Sequence, residues 1–221
     1  MPPKAMTDSG EAERVPRRRD AERTRQSILD AAIREFGIHG FSGARTERIA
    51  GQAACNIRLL YHHFGNKQAL YLAVIEAAYA DLRGREAALA FDLGDPLGCA
   101  ERLLRFTFGY FRDNALFEGL LHAENMMEGR FVRQSQRLPE DAALLKARLA
   151  AIVAAGEAQG VFRAGVDPVQ LYVTIAALSR FHLGNGWSMS ATLDVDLMTD
   201  DWRDARLEHG VAMLRAYLTR E

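Results

Sequence analysis

An all-α fold follows from three observations. Apolar residues recur at helical spacing along nearly the whole chain, strand-like alternation is absent, and Asn, Asp, Pro and Gly fall where helices begin and end. Residues 20–39 place Ile28, Leu29, Ala32, Ile33 and Phe36 on one apolar stripe. Gly40 then stands where a helix turns off, with Phe41 ready for the apolar contact of a Schellman ending. Thr46 begins a short second helix, TERIAGQA, and Asn56 caps a third, IRLLYHHF. Gly65-Asn66 breaks the chain, and Asn66 caps a fourth helix that buries Leu70, Val74 and Ala77.

Longer helices follow. Pro96 sits in the first turn of LGCAERLLRFTFGYFRDN, and residues 115–128 form a shorter helix. From Pro139 to Gln159, Leu145, Leu149, Ile152, Val153 and Gly156 share one side, and Gly160 stops the helix. DPVQLYVTIAALSRFHLGNG opens with an Asp cap and a Pro and is expected to close at Gly184 or Gly186. The last helix, about 201–219, carries Leu207, Val211, Leu214 and Leu218 on one stripe and Trp202, His209, Met213 and Tyr217 near another. Two stripes suggest burial on two sides, one against the chain's own core and one against a partner, while a single-chain bundle that buries both is the alternative. No internal repeat is present.

At 221 residues the chain is long enough to bury a real core, and 48% hydrophobic with 26% charged residues is the balance of a water-soluble protein. No apolar run reaches membrane-spanning length, and the polar, charged start reads as a disordered basic arm over residues 1–17. Cys55 and Cys99 form no metal-type cluster and read as small apolar residues in a reducing, cytoplasmic setting. The net charge of -1 hides an asymmetry: residues 1–70 carry a balance of +4 and the remainder -5. A basic head on an acidic body points to a polyanionic partner for the head alone.

One motif carries the functional reading. Two short helices joined by ACN, resting on a longer first helix, outline a helix-turn-helix whose last helix enters a major groove. Ile49, Ala50, Ala53, Leu60 and Phe64 hold the unit together, which leaves Arg58, Leu59, Tyr61, His62 and His63 outward. The stretch TRQSILDAAIREFGIHGF…TERIAGQAACNIRLLYHHFGNKQALYLAVI, about residues 18–75, resembles the N-terminal domain of the TetR family of bacterial transcriptional regulators, because its apolar, aromatic and basic positions fall in that family's register. AENMMEGRFVRQS and DPVQLYVTIAALSRFHL are similar to one subgroup of its effector domains.

The resemblance implies a helix-turn-helix domain over residues 18–66 and a helical ligand-binding and dimerisation domain over 67–221. It further implies a homodimer through the last two helices, double-stranded DNA with an inverted-repeat operator as partner, and a small-molecule effector that releases the DNA. It implies no cofactor. Where the family has Gly-Val-Ser, this chain has Ala54-Cys55-Asn56. Asn caps as Ser does, whereas Ala54 must enter a conformation that glycine enters more easily.

His62 and His63 raise the question of a metal. Neighbours on a helix point roughly 100° apart, while chelating pairs need spacing of three or four, so one metal cannot be held by both. The resemblance instead assigns Tyr61, His62, His63 and Lys67 to the DNA backbone. Arg58 can donate to a guanine edge and Leu59 can meet a thymine methyl. Arg45, Thr46, Asn56 and Ile57 complete the expected DNA-facing set. Arg17, Arg18 and Arg19 read equally as a solvated run and as an arm entering the minor groove. In the body, Phe106, Tyr110, His122, Asn125, Met126, Tyr172 and Arg180 are the expected pocket residues, although aromatic and Met side chains at this spacing also read as core, and Arg180, if it points inward, would meet an acidic ligand group.

Two other classes compete. An all-α enzyme finds no support in H-E-x-x-H, G-x-S-x-G, P-loop or dinucleotide-turn motifs, and the chain reads as a non-enzyme. A DNA-binding protein without effector would lack a pocket in its body.

Overall fold

The computed structural model describes residues 10–219, with side chains described from Arg19 onward. Met1–Ser9 and the side chains of Arg17 and Arg18 lie outside the described residues, and with them most of the expected arm. Among the described residues the chain forms nine α-helices and one 3₁₀ turn, and no helix is long and apolar enough to cross a membrane. Two compact units divide between Val74 and Ile75.

In the first unit, α1 runs Gly10–Gly43. Its helical backbone reaches back beyond residue 20, where the sequence placed the start, because the added turns carry no apolar stripe for a pattern to detect. The chain turns at Gly40, whose φ of 63° falls in the left-handed region the sequence assigned to it. Helices α2 (Thr46–Gln52) and α3 (Ile57–Phe64) pack on α1 through Ile28, Ala32, Phe36, Ile49 and Leu60, all fully buried or nearly so. Asn56 caps α3 as expected, its side-chain oxygen accepting from the Leu59 amide at 2.8 Å. Helix α4 (Lys67–Ala87) opens with Leu70, Tyr71 and Val74 buried. Those two turns pack with the first unit.

The second unit holds α5 (Pro96–Asp113), α6 (Ala115–Met126), the turn Val132–Gln134, α7 (Arg137–Ala158), α8 (Pro168–Leu193) and α9 (Asp200–Leu218). Side-chain caps fix three of these starts: Asp95 accepts from Gly98, Asp167 from Gln170 and Thr199 from Trp202. Leu103, Leu104, Leu149, Ile152, Ile175 and Leu214 form the centre of the core between α5, α7, α8 and α9. Gly156 lies under the Phe162 ring so closely that a Cβ there would stand 2.2 Å from it.

Helix α8 corrects one expectation. It passes through Gly184 and Gly186 and ends only at Leu193. These glycines serve close packing: a Cβ on Gly186 would meet the Met198 sulfur at 2.4 Å, and one on Gly184 the Glu118 carboxylate at 3.2 Å. On α9 the stripe of Val211, Leu214 and Leu218 is buried, while Met213 and Tyr217 of the second stripe are exposed.

Candidate nucleic-acid interface

The α2–α3 turn is tight. Ala54 adopts φ 51°, the left-handed conformation expected where a glycine would be easier, and the Cys55 amide donates to the Ala50 carbonyl at 3.0 Å. Cys55 itself is half-buried, and burial pushes its thiol up. From this turn α3 buries Leu60 and Phe64, with Arg25 of α1 stacked over the Phe64 ring. Its other side presents Arg58, Tyr61 and His62 exposed and Ile57, Leu59 and His63 half-buried. The His62 and His63 rings sit 5.7 Å apart at 71°, and no group of three His, Cys, Asp or Glu among the described residues could hold a metal ion.

The remaining expected contacts divide. Arg19, Arg45 and Asn56 are exposed, with the Asn56 oxygen committed to its cap. Thr46 is buried, its hydroxyl 3.0 Å from that of Tyr61. Lys67 is tied into the unit: its ammonium donates to the Ala44 carbonyl at 2.7 Å and lies 4.9 Å from the Phe41 ring centroid. A phosphate contact by Lys67 would therefore be shared with this anchor.

Sequence reasoning missed Glu35. Its side chain, 2% exposed, accepts from the Arg45 amide and from Arg48 Nε, each at 2.8 Å. Burial alone would raise this carboxyl, but the Arg48 guanidinium and the Arg45 amide outweigh burial and hold it below its ordinary value. Glu35 thereby fixes the start of α2, where Arg45 stands. The available signal was an acidic residue seven positions after Ile28, on the apolar face of α1.

In the second unit a cleft of about 490 Å³ opens between α6 and α8. Tyr172, Arg180, His122 and Asn125 line it as expected, joined by Glu118 and Phe181. The other three expected residues lie elsewhere. Phe106 packs between two core clusters, Tyr110 is buried with its hydroxyl donating to Asp81 at 2.9 Å, and Met126 is 73% exposed. Helical spacing alone did not say which face of α5 turns inward. Arg180 is also not free for a ligand acid, because its Nε and Nη2 pair with the two Glu118 oxygens at 2.9 and 2.7 Å. Behind the cleft, Arg83 of α4 donates to the Tyr172 hydroxyl at 2.7 Å and pairs with Glu86.

A small capped helix on a basic three-helix support, followed by a separate helical body with a cleft, is the frame on which comparisons with known proteins bear. Residues 28–74 match the model of bacterial regulatory proteins of the tetR family, and residues 96–214 match the tetracyclin repressor-like C-terminal domain. The chain belongs to the TetR family. It is a DNA-binding transcriptional regulator with a helix-turn-helix head. It is 36% identical over 181 residues to the HTH-type transcriptional repressor NicS of Pseudomonas putida, covering 82% of this chain and 85% of that protein. It is 32% identical over 165 residues to the HTH-type transcriptional repressor SCO4008 of Streptomyces coelicolor, covering 74% and 80%. Among solved structures, the transcriptional regulator SCO4942 of Streptomyces coelicolor superposes with a TM-score of 0.67 at 26% identity, over 90% of this chain and 99% of that one.

Proposed function

We propose that this TetR-family regulator is a cytoplasmic homodimeric repressor that reads an inverted repeat through α3 and is released by a small molecule bound in the body. The observation that carries the DNA-reading part is the exposed face of α3. Arg58, Tyr61 and His62 project from a helix held from behind by Leu60 and Phe64 and capped by Asn56. Arg58 is the base reader, and Tyr61, His62 and His63 position the backbone. The chain acts by binding and not by catalysis.

Dimerisation is supported by apolar side chains left in solvent on the last two helices: Val169, Val173, Phe181 and Trp187 on α8, Met213 and Tyr217 on α9. A two-fold protein matches a two-fold operator. The effector reading is supported by the α6–α8 cleft, which combines apolar walls with a few polar groups. The link is α4, which supplies Lys67 to Ala44 at one end and Arg83 to Tyr172 near the other. An effector shifts DNA affinity only by binding one arrangement of the body better than another.

The test is a gel shift of the purified chain on the DNA upstream of its own gene, across a salt series. Affinity should fall steeply with salt, as counterions are released from phosphates. Arg58→Ala should lose discrimination of about 1–3 kcal/mol at particular base pairs, and Lys67→Ala should weaken all sequences alike. Failure to bind any DNA at low ionic strength would refute the reading.

A further inference from the structure

Trp187 is the most exposed of the large apolar side chains described, at 77%. An aromatic side chain of this size buries some 150–250 Å² when packed, and tryptophan is highly buried on average. Its position on α8 is informative. At about 100° per residue, Val169, Val173, Ala176, Arg180 and Gly184 all lie within about 60° of Trp187 around the helix. Four of these five, all but Val169, line the α6–α8 cleft. One face of one helix thus carries a protruding apolar knob and, roughly 10–20 Å along the axis, a hollow able to receive one.

That arrangement is self-complementary. In a two-fold contact, residue i of one copy meets residue j of the other and the reverse holds at the same time. With two α8 helices antiparallel and the axis crossing near the level of His182, each Trp187 reaches the other copy's cleft. We infer that the second copy of this chain seats its Trp187 in the α6–α8 cleft, and that the cleft is complete only in the dimer. The inference rests on the proposed dimer but goes beyond it, since a dimer through α8 and α9 need not bury this indole.

The chemistry of the cleft suits an indole. Val173, Ala176 and Ala177 offer an apolar wall, and the Arg180 guanidinium, which already lies 5.8 Å from the Phe111 ring centroid and pairs with Glu118, shows that the cleft lining accommodates a cation beside a π-system. Asn125 and Asn185 each spend their NH₂ on a carbonyl of their own helix, Leu121 and Phe181, which leaves a side-chain oxygen to accept the indole N–H. Gly184 carries no side chain to block entry. The cleft, at about 490 Å³, retains room beside the indole, so the partner's Trp187 becomes one wall of the effector site.

The experiment uses the full chain with Trp202→Phe, so that Trp187 is the one tryptophan left. Emission and acrylamide quenching are followed alongside sedimentation equilibrium. At dimer concentrations Trp187 should emit at short wavelength and quench several-fold less than free indole, and dilution should expose it. Trp187→Ser, a surface change in the monomer, should raise the dimer dissociation constant about tenfold or more. Ala176→Arg, which fills the cleft, should do the same and leave Trp187 quenchable; circular dichroism checks its fold. A dimer with freely quenched Trp187, or one indifferent to Trp187→Ser, overturns this inference and leaves dimerisation standing. A chain monomeric at every concentration overturns both.

Discussion

The hydroxyl of Thr46, at the first turn of α2, lies 3.0 Å from the phenol of Tyr61 on α3. Two residues expected to reach DNA separately are therefore one unit, a buried group steering an exposed one. Thr46→Val should cost about 1 kcal/mol of stability and weaken operator and non-operator DNA equally, because the phenol loses its fixed direction. Combined with Tyr61→Phe, it should give a coupling energy of about 0.5–1.5 kcal/mol in urea melts. Strict additivity would mean the two hydroxyls do not act together.

Ala54 holds φ 51° in the turn between the same two helices. A Cβ in that region is strained, and glycine removes the strain but gives the unfolded chain more freedom, which costs some entropy on folding. Ala54→Gly should raise stability by about 1 kcal/mol while leaving operator preference intact, as thermal melts and footprinting would report. A lower melting temperature would show that the alanine methyl is needed for packing.

His182 of α8 is 3% exposed, stacks 5.0 Å from Phe108 and has no hydrogen-bond partner on either ring nitrogen among the described residues. Burial, and then the charges of Arg206 and Arg203, push its pKa down to about 4 from an ordinary 6.5. The unfolded chain thus binds the extra proton between pH 6.5 and 4, so stability is full above that window and falls as pH drops through it. The loss is on the order of 3 kcal/mol. Glu35, held below its ordinary 4.5, begins to contribute its own loss as pH falls through 4.5, at the acid end of this window and beyond it. His182→Leu should flatten the pH 6.5 to 4 limb of the stability curve, and an unchanged limb would assign that limb to other groups.

Glu118 neutralises Arg180 at the cleft wall. The unaltered protein should accordingly gain no melting temperature from benzoate, an aryl carboxylate that would have to compete with Glu118. In Glu118→Gln the guanidinium keeps a neutral neighbour only, and benzoate should stabilise that variant in a concentration-dependent way. Equal stabilisation of both proteins would show that Arg180 is available to acids after all.

Much of the frame was legible because it is written in local chemistry. The Gly40 turn, the Asn56, Asp95 and Asp167 caps and the buried stripe on α9 all depend on residues a few positions apart. What escaped depends on partners distant in sequence. Gly184 and Gly186 read as a stop until Glu118 and Met198 appear against them. Phe106 and Tyr110 read as pocket until α5 is turned toward the core. Arg180 read as vacant until α6 supplied Glu118, and the Arg83–Tyr172 bond joins residues 89 positions apart. The outward side of α3 was clearer, since the helix is short and its inner residues are few, yet the ties of Thr46 and Lys67 could not be seen from spacing.

The Gly156 and Phe162 contact bears on how genetics of this regulator would read. Phe162 is wholly enclosed, and any methyl at 156 evicts it. A saturation screen for derepressed clones would score position 156 as harshly as the proposed base reader Arg58, although one would fail by collapse of the protein and the other by loss of grip. Sorting such clones by cellular protein level would separate the two, and only the abundant ones would map the operator-reading surface.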